Sequence, residues 1–222
     1  ATQGWIPTTD DDVTDAPVKG NSEGIFGFGL TYVSMTNLVT NAGVIGTDVT
    51  GVGTDRGYLA GTQYGGDKGI FGFGTTGSKV SMTNLVSNAG VVGTDVTGVG
   101  TARSQPAACS YGYDKGIFGY GTTDGDAGVT AITNLVSNAG VVASDQAATT
   151  GTARQRPAAC EYGGDKGIFG FGDAGSKLGM TNLVSNAGVV ATDVSAVGTA
   201  RSGLAACSYG YDKGIFGYGY DG

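Results

Sequence analysis

The sequence predicts an all-β protein: a five-bladed β-propeller of four-stranded antiparallel blades, closed by both termini. Three observations carry that expectation. Gly-Ile-Phe-Gly recurs at Gly24–Gly27, Gly69–Gly72, Gly116–Gly119, Gly167–Gly170 and Gly214–Gly217, at intervals of 45, 47, 51 and 47 residues, and self-similarity at such a period marks a repeat architecture. The chain holds 44 glycines, and each in a helix interior costs about 1 kcal/mol relative to alanine, so long helices are disfavoured. Val, Ile, Thr, Phe and Tyr fill the spaces between glycines, which reads as many short strands.

The irregular part comes first. Trp5-Ile6-Pro7, within Gln3–Thr9, is expected to lend an outer strand to the last blade. Asp10-Asp11-Asp12 reads as a solvated turn and Thr14–Lys19 as a further strand. From Gly24 the repeat is regular, and its clearest copy gives the unit. Arg103–Tyr111 is a small-residue inner strand, Gly112–Gly116 a turn, and Ile117–Tyr120 the second strand. A loop leads to the third strand at Thr133–Ser137, Asn138–Gly140 turns, and Val141–Asp145 returns as the fourth.

Internal distances are nearly rigid. Arg56, Arg103, Arg154 and Arg201 each precede the Phe of the next Gly-Ile-Phe-Gly by 15 residues, and Asn37, Asn84, Asn134 and Asn182 each precede an Asp by 11. Only the connection after the second strand varies widely, from six residues (Leu30–Met35) to eight (Thr75–Met82), eleven (Thr122–Ile132) and eight (Asp173–Met180). Five Gly-Ile-Phe-Gly copies against four Thr-Asn-Leu-Val copies lead to five blades with closure by the termini. Four blades are the alternative.

Strand alternation gives the glycines a purpose. It places Phe71 and Phe73 on one face and Ile70, Gly72 and Gly74 on the other, so that an aromatic pair of one blade sits against the glycine face of its neighbour. Ala-Ala-Cys runs are small because inner strands converge on an axis. Cys109, Cys160 and Cys207 recur once per repeat, and with no His and no Cys-x-x-Cys they fit packing better than a disulfide framework or a zinc site.

The motifs Ala-Arg-x-x-x-Ala-Ala-Cys and Gly-Ile-Phe-Gly-Phe/Tyr-Gly resemble kelch-type repeats, closest to kelch-like repeats of uncharacterised viral and environmental proteins. The resemblance covers about residues 21–219, although the outer-strand Tyr and Trp of standard kelch blades are missing. It implies a propeller, with one domain over residues 1–222.

Composition excludes several functions. The four prolines and the absence of a Gly-X-Y period rule out collagen. A net charge of −7, with Lys and Arg spread through the repeats, lacks the cationic footprint of a nucleic-acid binder. No apolar run approaches the roughly 18 residues of a membrane span, and Ala1-Thr2-Gln3-Gly4-Trp5 does not read as a secretion signal. G-x-G-x-x-G matches at Gly72, Gly170 and Gly217 are followed by no helix, so no phosphate-binding cofactor is expected.

The remaining candidates are for binding. Arg56, Arg103, Arg154 and Arg201 are expected near a channel mouth on the face of the variable loops, each paired with the Asp eight or nine residues before it (Asp48, Asp95, Asp145, Asp193). Asp67, Asp114, Asp165 and Asp212 read as turn caps. Asp124 and Asp126 in the longest loop supply too few ligands for a cation alone, and Glu161 replaces Ser110 and Ser208 of neighbouring copies. No catalytic residue and no metal site is expected. The function anticipated is a non-enzymatic binding or scaffold propeller presenting loops to a carbohydrate or protein partner. The alternatives are a glycoside-processing enzyme, for which Glu161 is the lone carboxylate, and a purely structural or engineered repeat protein.

Overall fold

A computed structural model describes residues 23–146 and 151–222; the expected N-terminal elements at Gln3–Thr9, Asp10–Asp12 and Thr14–Lys19 lie outside them. The described residues form thirteen strands in five antiparallel sheets. The first holds β1 (Gly24–Gly29) and β2 (Val33–Val39), and the second β3 (Ala60–Tyr64), β4 (Lys68–Gly72) and β5 (Thr83–Val86). The third holds β6 (Ala107–Tyr111), β7 (Lys115–Gly119) and β8 (Thr133–Val136). The fourth holds β9 (Ala158–Tyr162), β10 (Lys166–Asp173) and β11 (Lys177–Val184), and the last β12 (Ala205–Tyr209) and β13 (Lys213–Gly217).

Rigid sequence spacing becomes identical register between the first two strands of a unit, where Gly61 opposes Phe71, Ala108 Phe118, Ala159 Phe169 and Ala206 Phe216, and the sheet keeps one register even across the connection of variable length. Phe26 opposes Asn37, Phe71 Asn84, Phe118 Asn134 and Phe169 Asn182. The expected fourth strand of each unit shrinks to two isolated bridges, such as Val86 with Val92 and Thr83 with Val96. Between them the Asn84 side chain donates to the Gly93 carbonyl at 3.0 Å, replacing a ladder bond with a side-chain bond and ending regular pairing. In two units part of the variable connection is itself strand, since β2 begins at Val33 and β11 at Lys177.

The alternation expected for the aromatic pair does not survive. Phe28, Phe73, Tyr120, Phe171 and Tyr218 all have φ between 62° and 64°, and a residue in that region bulges the strand and turns its side chain out of sequence. Phe71 therefore points back to the first sheet, whereas Phe73 points forward with Gly72 to the third. An L-residue held there costs on the order of 1–3 kcal/mol, so packing must compensate. It does so edge-on: Phe73 meets Phe118 at 5.2 Å between centroids and 62° between planes, and Tyr120 meets Phe169 at 5.1 Å and 67°.

Glycine is required where each Phe lands. A Cβ on Gly72 would lie 2.8 Å from Phe118 Cζ, and one on Gly119 2.7 Å from Phe169 Cζ. Traffic also runs the other way, with Cys109 Sγ packed where a Cβ on Gly167 would stand and Cys160 Sγ doing the same at Gly214. Neighbouring sheets thus lock by a Phe inserted backward and a Cys inserted forward. Their closest approach is along the inner strands β3, β6, β9 and β12, which explains why those strands are Ala-Ala-Cys or Ala-Gly-Thr.

Among the described residues, no sheet packs against the outer face of the first sheet or of the last. Phe26, the first copy of the inserting Phe, is 64% exposed, and a Cβ on Gly217 would meet nothing within 4 Å. Cys109 and Cys160 are buried and Cys207 is exposed, because no further sheet among the described residues covers it.

Candidate functional site

The arginines are the first residues to place. Arg56, Arg103 and Arg154 have no exposed surface, which corrects the expectation that they ring an open channel mouth. Each guanidinium lies over the bulged aromatic of the preceding sheet: Arg56 over Phe28 at 4.4 Å, Arg103 over Phe73 at 3.9 Å, Arg154 over Tyr120 at 3.9 Å and Arg201 over Phe171 at 4.7 Å. Their polar atoms turn to their own sheet. Arg56 Nε donates to the Phe73 carbonyl at 3.0 Å and Nη2 to Asn84 Oδ1 at 2.6 Å, and Arg103 Nε donates to the Tyr120 carbonyl at 2.8 Å. Burial pulls the Arg103 guanidinium down to about 10, with Asp145 opposing, so it stays cationic at neutral pH.

The acidic partners differ from the expected ones. Arg56 pairs with Asp95 at 3.7 Å and not with Asp48, and Asp145 and Asp193 act electrostatically on Arg103 and Arg154. Each Arg belongs to the sheet it enters, and the Asp returning beside it comes at the end of that same sheet. The carboxylate also holds a threonine two residues before each arginine. Thr54 Oγ1 donates to Asp95 at 2.6 Å, Thr101 Oγ1 to Asp145 at 2.7 Å and Thr152 Oγ1 to Asp193 at 2.6 Å. Thr-x-Arg recurs at Thr54, Thr101 and Thr152, and the partner of each threonine lies across the sheet.

Burial pushes the carboxyls of Asp95, Asp145 and Asp193 up, yet hydrogen bonds from Thr and Asn outweigh it and hold all three below the ordinary range. A carboxylate depressed in the folded state stabilises it above the unfolded value and loses that contribution as pH falls through the folded value. The melting temperature is therefore expected to hold down to about pH 4, the unfolded carboxylate value, and to fall below it. Thermal melts between neutral and acid pH check this, and an acid limb unchanged in Asp145→Asn would remove the clamp as its cause.

The Asp-Lys turns are held by side-chain bonds to the adjacent lysine and to an asparagine of the next turn. Asp67 accepts from Lys68 Nζ at 2.8 Å and Asn88 Nδ2 at 3.2 Å, and Asp165 from Lys166 at 2.9 Å and Asn186 at 3.0 Å. Glu161 is buried, with Oε2 accepting from Ser110 Oγ at 2.7 Å and from Gln63 Nε2 at 3.3 Å. Its carboxylate joins side chains from three successive sheets. Asp126 accepts from the Gln155 amide of the next unit while Asp124 stays exposed on the same loop. No group of three or more His, Cys, Asp or Glu side chains that could hold a metal occurs among the described residues.

What the sequence reading missed is a row two positions after each arginine: Tyr58, Gln105, Arg156 and Gly203. Their backbones are linked sheet to sheet, Gln105 N to Tyr58 O at 2.8 Å, Arg156 N to Gln105 O at 3.1 Å and Gly203 N to Arg156 O at 3.1 Å. Tyr58, Gln105 and Arg156 have φ of 54°, 58° and 54°, a conformation in which L-residues store strain and which clusters at functional sites. The residue before each one bridges the start of a variable loop, as Gly57 with Thr75, Ser104 with Thr122 and Gln155 with Asp173. The row therefore runs along the loop-bearing edge, with Tyr58 40% exposed and Arg156 Nε donating to Gln105 Oε1 at 3.0 Å. Its signal was a variable residue at a fixed offset from an invariant one. No protein-family model matches the chain, and a search of the curated proteins finds no match.

Proposed function

We propose that the protein is a non-enzymatic binding module, a kelch-like array of blades whose loop-bearing edge recognises a carbohydrate. The row Tyr58, Gln105, Arg156 is the observation that carries this reading. An aromatic face, an amide and a guanidinium stand on adjacent, backbone-linked positions of a rigid support. Such a set offers apolar stacking beside hydrogen-bond donors and acceptors, as a glycan's alternating faces and hydroxyls require. Strain at positions with unlike side chains supports recognition over scaffolding, since a purely structural turn there would be served by glycine, as at Gly203.

The propeller reading is the finer part of this proposal. Sheets that approach most closely at their inner strands, and a Gln63 side chain that reaches past Ser110 to Glu161, support blades fanned about an axis. Five blades closed by both termini would need the first and last sheets to meet.

A glycan array, followed by calorimetry on a hit, tests the function. Binding is expected to fall at least about tenfold in Tyr58→Ala and Arg156→Ala and to be unchanged in Glu161→Gln. Turnover of a chromogenic glycoside that Glu161→Gln abolishes would instead establish the enzyme, and binding untouched by both row variants would remove the edge as the site.

A further inference from the structure

The array has two different ends, and they fit each other. At the leading end Phe26 stands unpacked, and Gly24 occupies the position that in later units receives a Cys from the sheet before: Gly167 takes Cys109 and Gly214 takes Cys160. At the trailing end Gly217 is vacant, Cys207 is exposed and Tyr218, the bulged aromatic against which a following Phe would rest, is 92% exposed. Among the described residues, each half of the internal lock is thus present once without its counterpart.

We propose that a second copy of the chain docks end to end, its Phe26 entering over Gly217 against Tyr218 while Cys207 settles on Gly24. The occupant is identified by continuity with the interface that the chain already makes internally. Phe71 on Gly27, Phe118 on Gly72, Phe169 on Gly119 and Phe216 on Gly170 show that this surface is built to meet its own repeat. The contact is heterologous, a leading end on a trailing end, so it generates a closed ring of chains or an open filament according to the rotation between copies. It lacks the arginine that stacks on each internal bulged aromatic, because the residue 15 before Phe26 is Asp11. It is therefore weaker than an internal junction and reversible. A net charge of −7 per chain makes copies repel, so added salt strengthens the association by screening. The proposal stands independently of what the loop-bearing edge binds.

Sedimentation velocity of the full chain over about 1 µM to about 1 mM provides the test, with mass expected to rise above the 22.0 kDa monomer and to rise further with salt. Phe26→Asp and Gly217→Phe each block one end without touching an internal junction, and each is expected to stay monomeric with an unchanged melting temperature. Mixed together, they retain one open leading end and one open trailing end, and are expected to give a species of twice the monomer mass and nothing larger. A wild-type chain that is monomeric throughout would overturn the proposal, as would association that survives both substitutions. A melting temperature lowered in Phe26→Asp with no change in mass would assign Phe26 to a contact within its own chain and overturn it equally.

Discussion

Phe118→Ala is expected to destabilise the protein by about 3–5 kcal/mol, the usual cost of removing a fully buried ring. The ring has no exposed surface and does two things at once: it fills the space over Gly72 and stacks edge-on against Phe73. Its removal leaves a cavity that the second sheet cannot close, because the glycine opposite has no side chain to move. Phe73 would also lose the contact that offsets its positive φ. Chemical denaturation reads the loss directly, and a midpoint equal to that of the unsubstituted protein would sink the proposed lock between sheets. The same substitution at Phe26 is expected to be nearly neutral for folding, since its ring is 64% exposed and no described sheet receives it.

Arg103→Lys is expected to cost about 2–4 kcal/mol, nearly as much as removing the side chain altogether. The planar guanidinium satisfies the Tyr120 and Thr101 carbonyls at 2.8 and 3.2 Å while its face lies 3.9 Å from the Phe73 ring centre. An ammonium group can donate to a carbonyl but cannot stack on the ring at the same time, and its more strongly held water makes the same burial dearer. Denaturation of Arg103→Lys beside Arg103→Met checks the geometry. If lysine restored wild-type stability, charge alone would be at work and the stacking would be incidental.

These two substitutions show how differently fold and site could be read from the chain. Gly-Ile-Phe-Gly and Thr-Asn-Leu-Val were visible as strands because the first keeps its distance from the arginine before it and the second from the aspartate after it, and a constant distance points to a constant register. Phe73 was visible as a packing residue but was placed on the wrong face, since alternation assumes extended backbone and cannot foresee a φ of 64°. Asp48 was matched to Arg56 because they are near in sequence, whereas the sheet brings Asp95 there from 39 residues further on.

The site was less legible for a related reason. Glu161 stood out as an irregularity within a repeat, and it belongs to a buried hydrogen-bonded set with Ser110 and Gln63. Tyr58, Gln105 and Arg156 share in sequence only their offset from an arginine, and they form a continuous row because three sheets set them side by side.

By itself the sequence determined that this chain is a succession of equal antiparallel units, with small residues on the inner strands and a Phe and a Gly held for contact between units. Local composition and spacing suffice for that, because strand propensity, glycine punctuation and register are properties of short segments. Only the tertiary structure decided which way each aromatic faces, that Arg56, Arg103 and Arg154 are buried as stacking elements, and that Phe26 and Gly217 face no other sheet among the described residues. Those outcomes depend on what the neighbouring sheet presents, and at Phe26 and Gly217 the decisive fact is that no other described sheet lies against them.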